Sequence, residues 1–143
     1  MEPDEFRTKM RSALIALGPR APANLSDIIR YGDLQGRERA IVRTADRSRP
    51  EQDRELEFPN GARLRFLVAF VKPKADWVVL RYSFHFSCKD GTWFRYERDS
   101  GRSQGMLHPL CHLHVKAEEP RYRTGNHDLL ELLEFLKQQG LLS

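Results

Sequence analysis

Two successive segments of this chain alternate apolar and polar residues with a period of two, and each lies next to a turn that few residue types can make. From Arg63 to Val71, Leu64, Phe66, Val68 and Phe70 take one side, and Arg63 and Arg65 begin the other. Successive side chains of a strand point to opposite faces, so this spacing predicts a half-buried strand. Trp77 to Cys88 repeats the pattern, with Val78, Leu80, Tyr82, Phe84 and Phe86 on one face and Arg81, Ser83, His85 and Ser87 on the other. Asn60-Gly61, between a short strand at Leu56 to Phe58 and the first long one, supplies the positive φ of a tight hairpin. Lys89-Asp90-Gly91 reads as a three-residue hairpin loop with Gly in the left-handed position. If it pairs Cys88 with Thr92, His85 stands opposite Arg95 and Ser83 opposite Glu97.

A fourth strand is expected at Thr92 to Arg98 and a fifth at Leu110 to Ala117. In the latter, Cys111, Leu113 and Val115 form the apolar row and His112, His114 and Lys116 the polar one. The chain closes on a helix capped by Thr124 or Asn126, with Leu129, Leu130, Leu132, Leu133, Phe135 and Leu136 as a broad apolar stripe. At the other end, Pro3 starts a helix bearing Phe6, Met10, Ala13, Leu14 and Leu17, which Gly18-Pro19 ends. Asn24 or Ser26 is expected to cap a second helix through Leu25, Ile28 and Ile29 to Leu34. Residues 36–55 are rich in Arg, Asp and Glu, with Ile41 and Val42 as the apolar anchors, and read as a polar connector. The expectation is therefore an α+β fold: an antiparallel β-sheet of four to five strands with the N-terminal and C-terminal helices packed on one face. It forms a single domain over 1–143, with 1–55 helical plus connector and 56–143 sheet plus helix.

A chain of 143 residues buries enough surface to fold without a covalent staple. No apolar run approaches the length of a membrane span, and the acidic start at Glu2, Asp4 and Glu5 has neither signal-peptide nor transit-peptide layout. A cytoplasmic location without membrane contact is thus the expectation. Cys88 and Cys111 read as reduced thiols, since two cysteines make neither a disulfide framework nor a zinc knuckle. The net charge of +4 is unevenly placed: residues 63–123 hold twelve Lys or Arg against six Asp or Glu, and these are the strands. A local surface of that kind suits a polyanion.

With strands adjacent in sequence order, Arg63, Arg65, Arg81, Ser83, His85, Arg95, Glu97, His112, His114 and Lys116 fall on one face. Cleaving RNA through its own 2′-hydroxyl takes a base, an acid and a cation for the charged phosphorane, which histidines with Arg or Lys supply near neutral pH. His85, Arg95, Glu97, His112 and His114 are the expected catalytic set, with no metal or other cofactor required. Arg63, Arg65, Arg81 and Lys116 are expected to hold the backbone, and Trp93, on the polar side by parity, to stack a base. Alternatively, His112 and His114 with His108 or His85, and Glu97 as a carboxylate, form a donor set sufficient for zinc or another divalent ion. Both possibilities stand against a plainer one, a solvated strand face whose charges pair across strands.

Leu80-Arg81-Tyr82-Ser83-Phe84-His85-Phe86, Phe94-Arg95-Tyr96-Glu97, His108-Pro109-Leu110-Cys111-His112-Leu113-His114 and the apolar closing helix together resemble the TumE-like toxins of bacterial toxin–antitoxin pairs. The resemblance covers roughly 63–136. Glu97 stands where that pattern has Asp, and Arg98 where it has Asn. The resemblance implies a cytoplasmic, growth-inhibiting protein that acts on RNA and is held silent by a cognate antitoxin. Three functions follow as expectations: an RNA-directed toxin-like protein, in its enzymatic form a metal-independent ribonuclease; a non-catalytic nucleic-acid- or protein-binding module; and a metal-dependent hydrolase.

Overall fold

The computed structural model describes residues 1–32, 39–98, 111–118 and 122–143. Helix α1 (Pro3–Ile15) is followed by strands β1 (Ile28–Gly32), β2 (Arg39–Asp46), β3 (Arg49–Asp53), β4 (Leu56–Glu57), β5 (Arg63–Val71), β6 (Val78–Ser87), β7 (Trp93–Arg98), β8 (Cys111–Val115) and β9 (Tyr122–Arg123), then helix α2 (Leu129–Gln138). The strands run antiparallel in the order β1-β2-β5-β6-β7-β8-β9, with β4 paired to β5 and β3 to β2.

This corrects the expected sheet of four to five strands: among the described residues the protein is mostly β. The unexpected strands are β1, β2 and β3 in the first third of the chain and the short β9, which pairs with β8. Leu25, Ile28 and Ile29 fit a helical stripe, but they span less than two turns. The chain spends Leu25–Asp27 in a single 3-10 turn and then extends, with Ile28 fully buried. In β2 the inward row is Ala40, Val42 and Thr44, of which one residue is strongly apolar, so hydropathy alone does not reveal the alternation. Arg43, on the opposite row, is buried in an ion pair with Asp53 of β3. A charge-rich stretch thus folds as strands because its charges pair across them.

Phe6 of α1 meets Phe66 edge-on at 6.2 Å and Phe70 at 5.8 Å, and one buried cluster joins these to Met10, Leu14, Phe84, Phe86 and the α2 leucines. Asp128 caps α2, accepting from Leu130 N at 2.8 Å, in place of the expected Thr124 or Asn126. Phe66 and Phe84 lie in the core as parity requires. Leu80 does not: a bulge opposite Ala69 and Phe70 sets Val79 against Phe70, and Val79 packs on the core instead. A bulge inserts an unpaired residue and resets the alternation beyond it. Leu113 is half-buried and Val115 is exposed, because the core ends at Phe94 and Tyr96 of β7 and does not reach β8.

Where β2 peels away from β5, the Thr44 hydroxyl takes over the missing ladder. It accepts from Phe66 N at 3.1 Å and donates to Phe66 O at 3.5 Å, fully buried. Thr44→Val keeps the shape and strands that amide. It should cost about 1–3 kcal/mol in urea unfolding, and Thr44→Ser should restore most of it.

Candidate functional site

The face opposite the two helices is organised by register. The loop after β6 closes as its Gly predicts: Gly91 has φ +89°, Gly91 N donates to Cys88 O at 3.0 Å, and Cys88 N to Thr92 O at 2.8 Å. This fixes β6 against β7, and β7 pairs next with β8. One cross-strand row reads Arg65, His85, Arg95, His114, and the next reads Leu67, Ser83, Glu97, His112. Arg95, Glu97, His112 and His114 therefore occupy the corners of a square, two residues along each strand and one strand across.

Glu97 is the hub of that square. Its Oε2 lies 3.0 Å from His112 Nε2 and 3.3 Å from His114 Nε2, and its Oε1 lies 2.5 Å from Arg95 Nε. The Arg95 contact is an ion contact, since that N–H does not point along a hydrogen-bond line to the oxygen. Arg95 Nη2 donates to Glu118 Oε2 at 2.6 Å, and His114 Nδ1 donates to the Glu118 carbonyl at 2.8 Å. The segment after β8 thereby turns back over this face, starting at Lys116, which has φ +61°. Both imidazoles are enclosed, with 0% and 1% exposure. The plainer possibility, that His112 and His114 form a solvated strand face, does not hold: both are buried, and Val115, placed by parity on the core side, is exposed. Nothing in the sequence marks Glu118, because strand parity carries no information about a residue in a connection.

His85 has a different environment. Its ring stacks on Trp93 at 5.0 Å and 24°, while the Arg95 guanidinium sits 5.5 Å from the centre of the same indole. Burial, with the charges of Arg65 and Arg95, pushes its pKa down to about 4, so the imidazole is neutral at neutral pH. Its Nδ1 has no hydrogen-bond partner among the described residues. Arg65 and His85, with Arg63, Ser87 and Lys89, line a shallow open groove beside the square. Glu55 lies in the groove as well, 3.8 Å from Arg63. Among the described residues, the Arg95 guanidinium holds the Glu118 carboxyl below its ordinary range.

The expected catalytic residues His85, Arg95, Glu97, His112 and His114 all lie in the two rows. Of the residues expected to hold the backbone or stack a base, Arg65 lies in the first row and Arg63 and Trp93 border it, whereas Arg81 opens onto a separate groove with Tyr31, Arg39 and Leu80. Lys116 has left the row, since its left-handed backbone ends β8 at Val115. His108 lies outside the described residues. As metal donors, Glu97, His112 and His114 present atoms within 4.8 Å of one another. No helix among the described residues is long and apolar enough to cross a membrane. No family model, curated protein or solved structure matches the chain.

The depressed pKa of His85 has a direct consequence for stability. The unfolded imidazole titrates near its ordinary 6.5 and the folded one near 4. Between these values the unfolded chain binds more protons, so this contribution is complete above 6.5 and is lost as pH falls towards 4. Urea unfolding of wild type and His85→Gln across that window should show a shallower acid loss in the variant. Parallel profiles would contradict the assignment.

Proposed function

We propose that this protein acts on RNA, with the sheet face opposite α1 and α2 holding the ribose–phosphate backbone. The observation that carries this reading is the row in which the neutral His85 stands between the guanidinium-bearing Arg65 and Arg95, beside the groove that also holds Arg63 and Lys89. A phosphate between the two arginines neutralises the charges that help depress the His85 pKa, so anion binding makes the imidazole a better proton acceptor. That places a base beside the phosphodiester whose neighbouring 2′-hydroxyl must lose its proton. Trp93 offers a stacking face at the same position. Resemblance to the TumE-like toxins supplies the setting, with a cognate antitoxin as the partner that covers the face.

Within this reading the roles of the five residues differ. His85 and Arg95 act on the phosphate. Glu97, His112 and His114 fix Arg95, since the imidazoles are enclosed and turned onto the carboxylate. The second reading, a metal-dependent hydrolase, is favoured by the same enclosure, because two imidazoles and a carboxylate converge there.

RNA binding and cleavage separate the roles. Arg65→Ala should weaken binding of a single-stranded RNA and lower the salt slope by about 1, as one phosphate contact is lost. His85→Ala should lower cleavage roughly 10²- to 10⁴-fold with binding nearly retained. Salt-dependent binding without cleavage by the wild type would leave a binding module, and no RNA affinity at low salt would refute the proposal.

A further inference from the structure

We propose that Glu97, His112 and His114 form a binding site for one divalent transition-metal ion of the zinc class. The inference does not depend on an RNA substrate.

The first support is the hydrogen-bond direction at His114. The Glu118 carbonyl can only accept, so the 2.8 Å contact places a proton on His114 Nδ1. In the neutral ring the lone pair is then on Nε2, which faces Glu97 Oε2 at 3.3 Å. Two acceptors do not face one another at that distance in a buried site without a cation between them, either a proton or a metal. An imidazole that donates through Nδ1 to a backbone carbonyl and offers Nε2 inward is the arrangement in which metal-ligating histidines are held.

The second support is the spacing. Zinc bonds to N and O of about 2.0–2.1 Å in a tetrahedron put neighbouring donor atoms about 3.3–3.4 Å apart. Glu97 Oε2 lies 3.0 Å and 3.3 Å from the two Nε2 atoms, each close to one such edge, and the three donors lie within 4.8 Å, so the two imidazoles close towards each other when they share an ion. Arg95 occupies Glu97 Oε1 and leaves Oε2 for the ion, while Glu118 offsets the Arg95 charge. Among the described residues the donor set is two imidazoles and one carboxylate, which suits Zn²⁺ or Fe²⁺. Glu97 is 25% exposed, and an ion can reach the otherwise enclosed donors past it. If the RNA reading also holds, the ion sits beside the row whose Arg65 and Arg95 receive the phosphate.

Chelator-treated full-length protein titrated with Co²⁺ tests the site without RNA. One equivalent should give visible absorption without a thiolate charge-transfer band, be displaced by Zn²⁺, and leave one Zn²⁺ per chain after gel filtration. Glu97→Gln and His112→Gln should each weaken Zn²⁺ binding at least tenfold, and Cys88→Ala should not. No ion retained by the wild type means that a proton alone joins the triad and overturns the proposal. So does a thiolate band, or Zn²⁺ retained equally by folded Glu97→Gln. Should the variants fail to fold, the wild-type cobalt spectrum and stoichiometry decide. RNA binding by the wild type without retained zinc overturns this inference alone, and retained zinc without RNA affinity at low salt overturns the RNA reading alone.

Discussion

One carboxylate orders the chemistry of this protein. Glu97 stands on the sheet face opposite α1 and α2, and its two oxygens are divided between the Arg95 guanidinium and two enclosed imidazoles. Truncating it would remove the carboxylate that His112 Nε2 and His114 Nε2 share, and would leave Arg95 paired with Glu118. A buried polar cluster of this kind is worth little unless every member is satisfied, and its worth falls sharply when one is removed.

The arrangement depends on register. The period of two puts Arg95 with Glu97, and His112 with His114, on one side of their strands, and antiparallel pairing brings the two pairs together. A slip of one residue on either strand would carry its pair to the helix-covered side. The Gly91 turn guards against that slip between β6 and β7, and the contacts of Glu118 to Arg95 and His114 guard the end of β8. Fold and site therefore stabilise each other: the same hydrogen bonds that close the sheet also aim the side chains.

Much of the second half of the fold can be read in the sequence, because strong apolar alternation and glycine-bearing turns are local signals. The pairing of His85 with Arg95 and of Ser83 with Glu97 follows from the Lys89-Asp90-Gly91 loop alone. The strands of the first third are not legible in that way. Their buried row contains Ala40 and Thr44, and Arg43 is buried only because Asp53 lies across from it. Such compensation involves residues on separate strands and leaves no periodic trace. The burial of His112 and His114 is hidden for the same reason: parity separates two faces but does not say which one a later segment will cover. The bulge near Leu80 likewise depends on packing across strands.

The orientation of His114 tests this account most directly. Two-bond ¹H–¹⁵N correlation spectra of the imidazole nitrogens, recorded on the metal-free protein and after one equivalent of Zn²⁺, report which nitrogen carries the proton and which meets the ion. The structure predicts a protonated Nδ1 in both states, as the Glu118 carbonyl demands, with the zinc-induced shift on Nε2 of His114 and little change at His85. A neutral ring protonated on Nε2, with Nδ1 bare and unmoved by zinc, would contradict it.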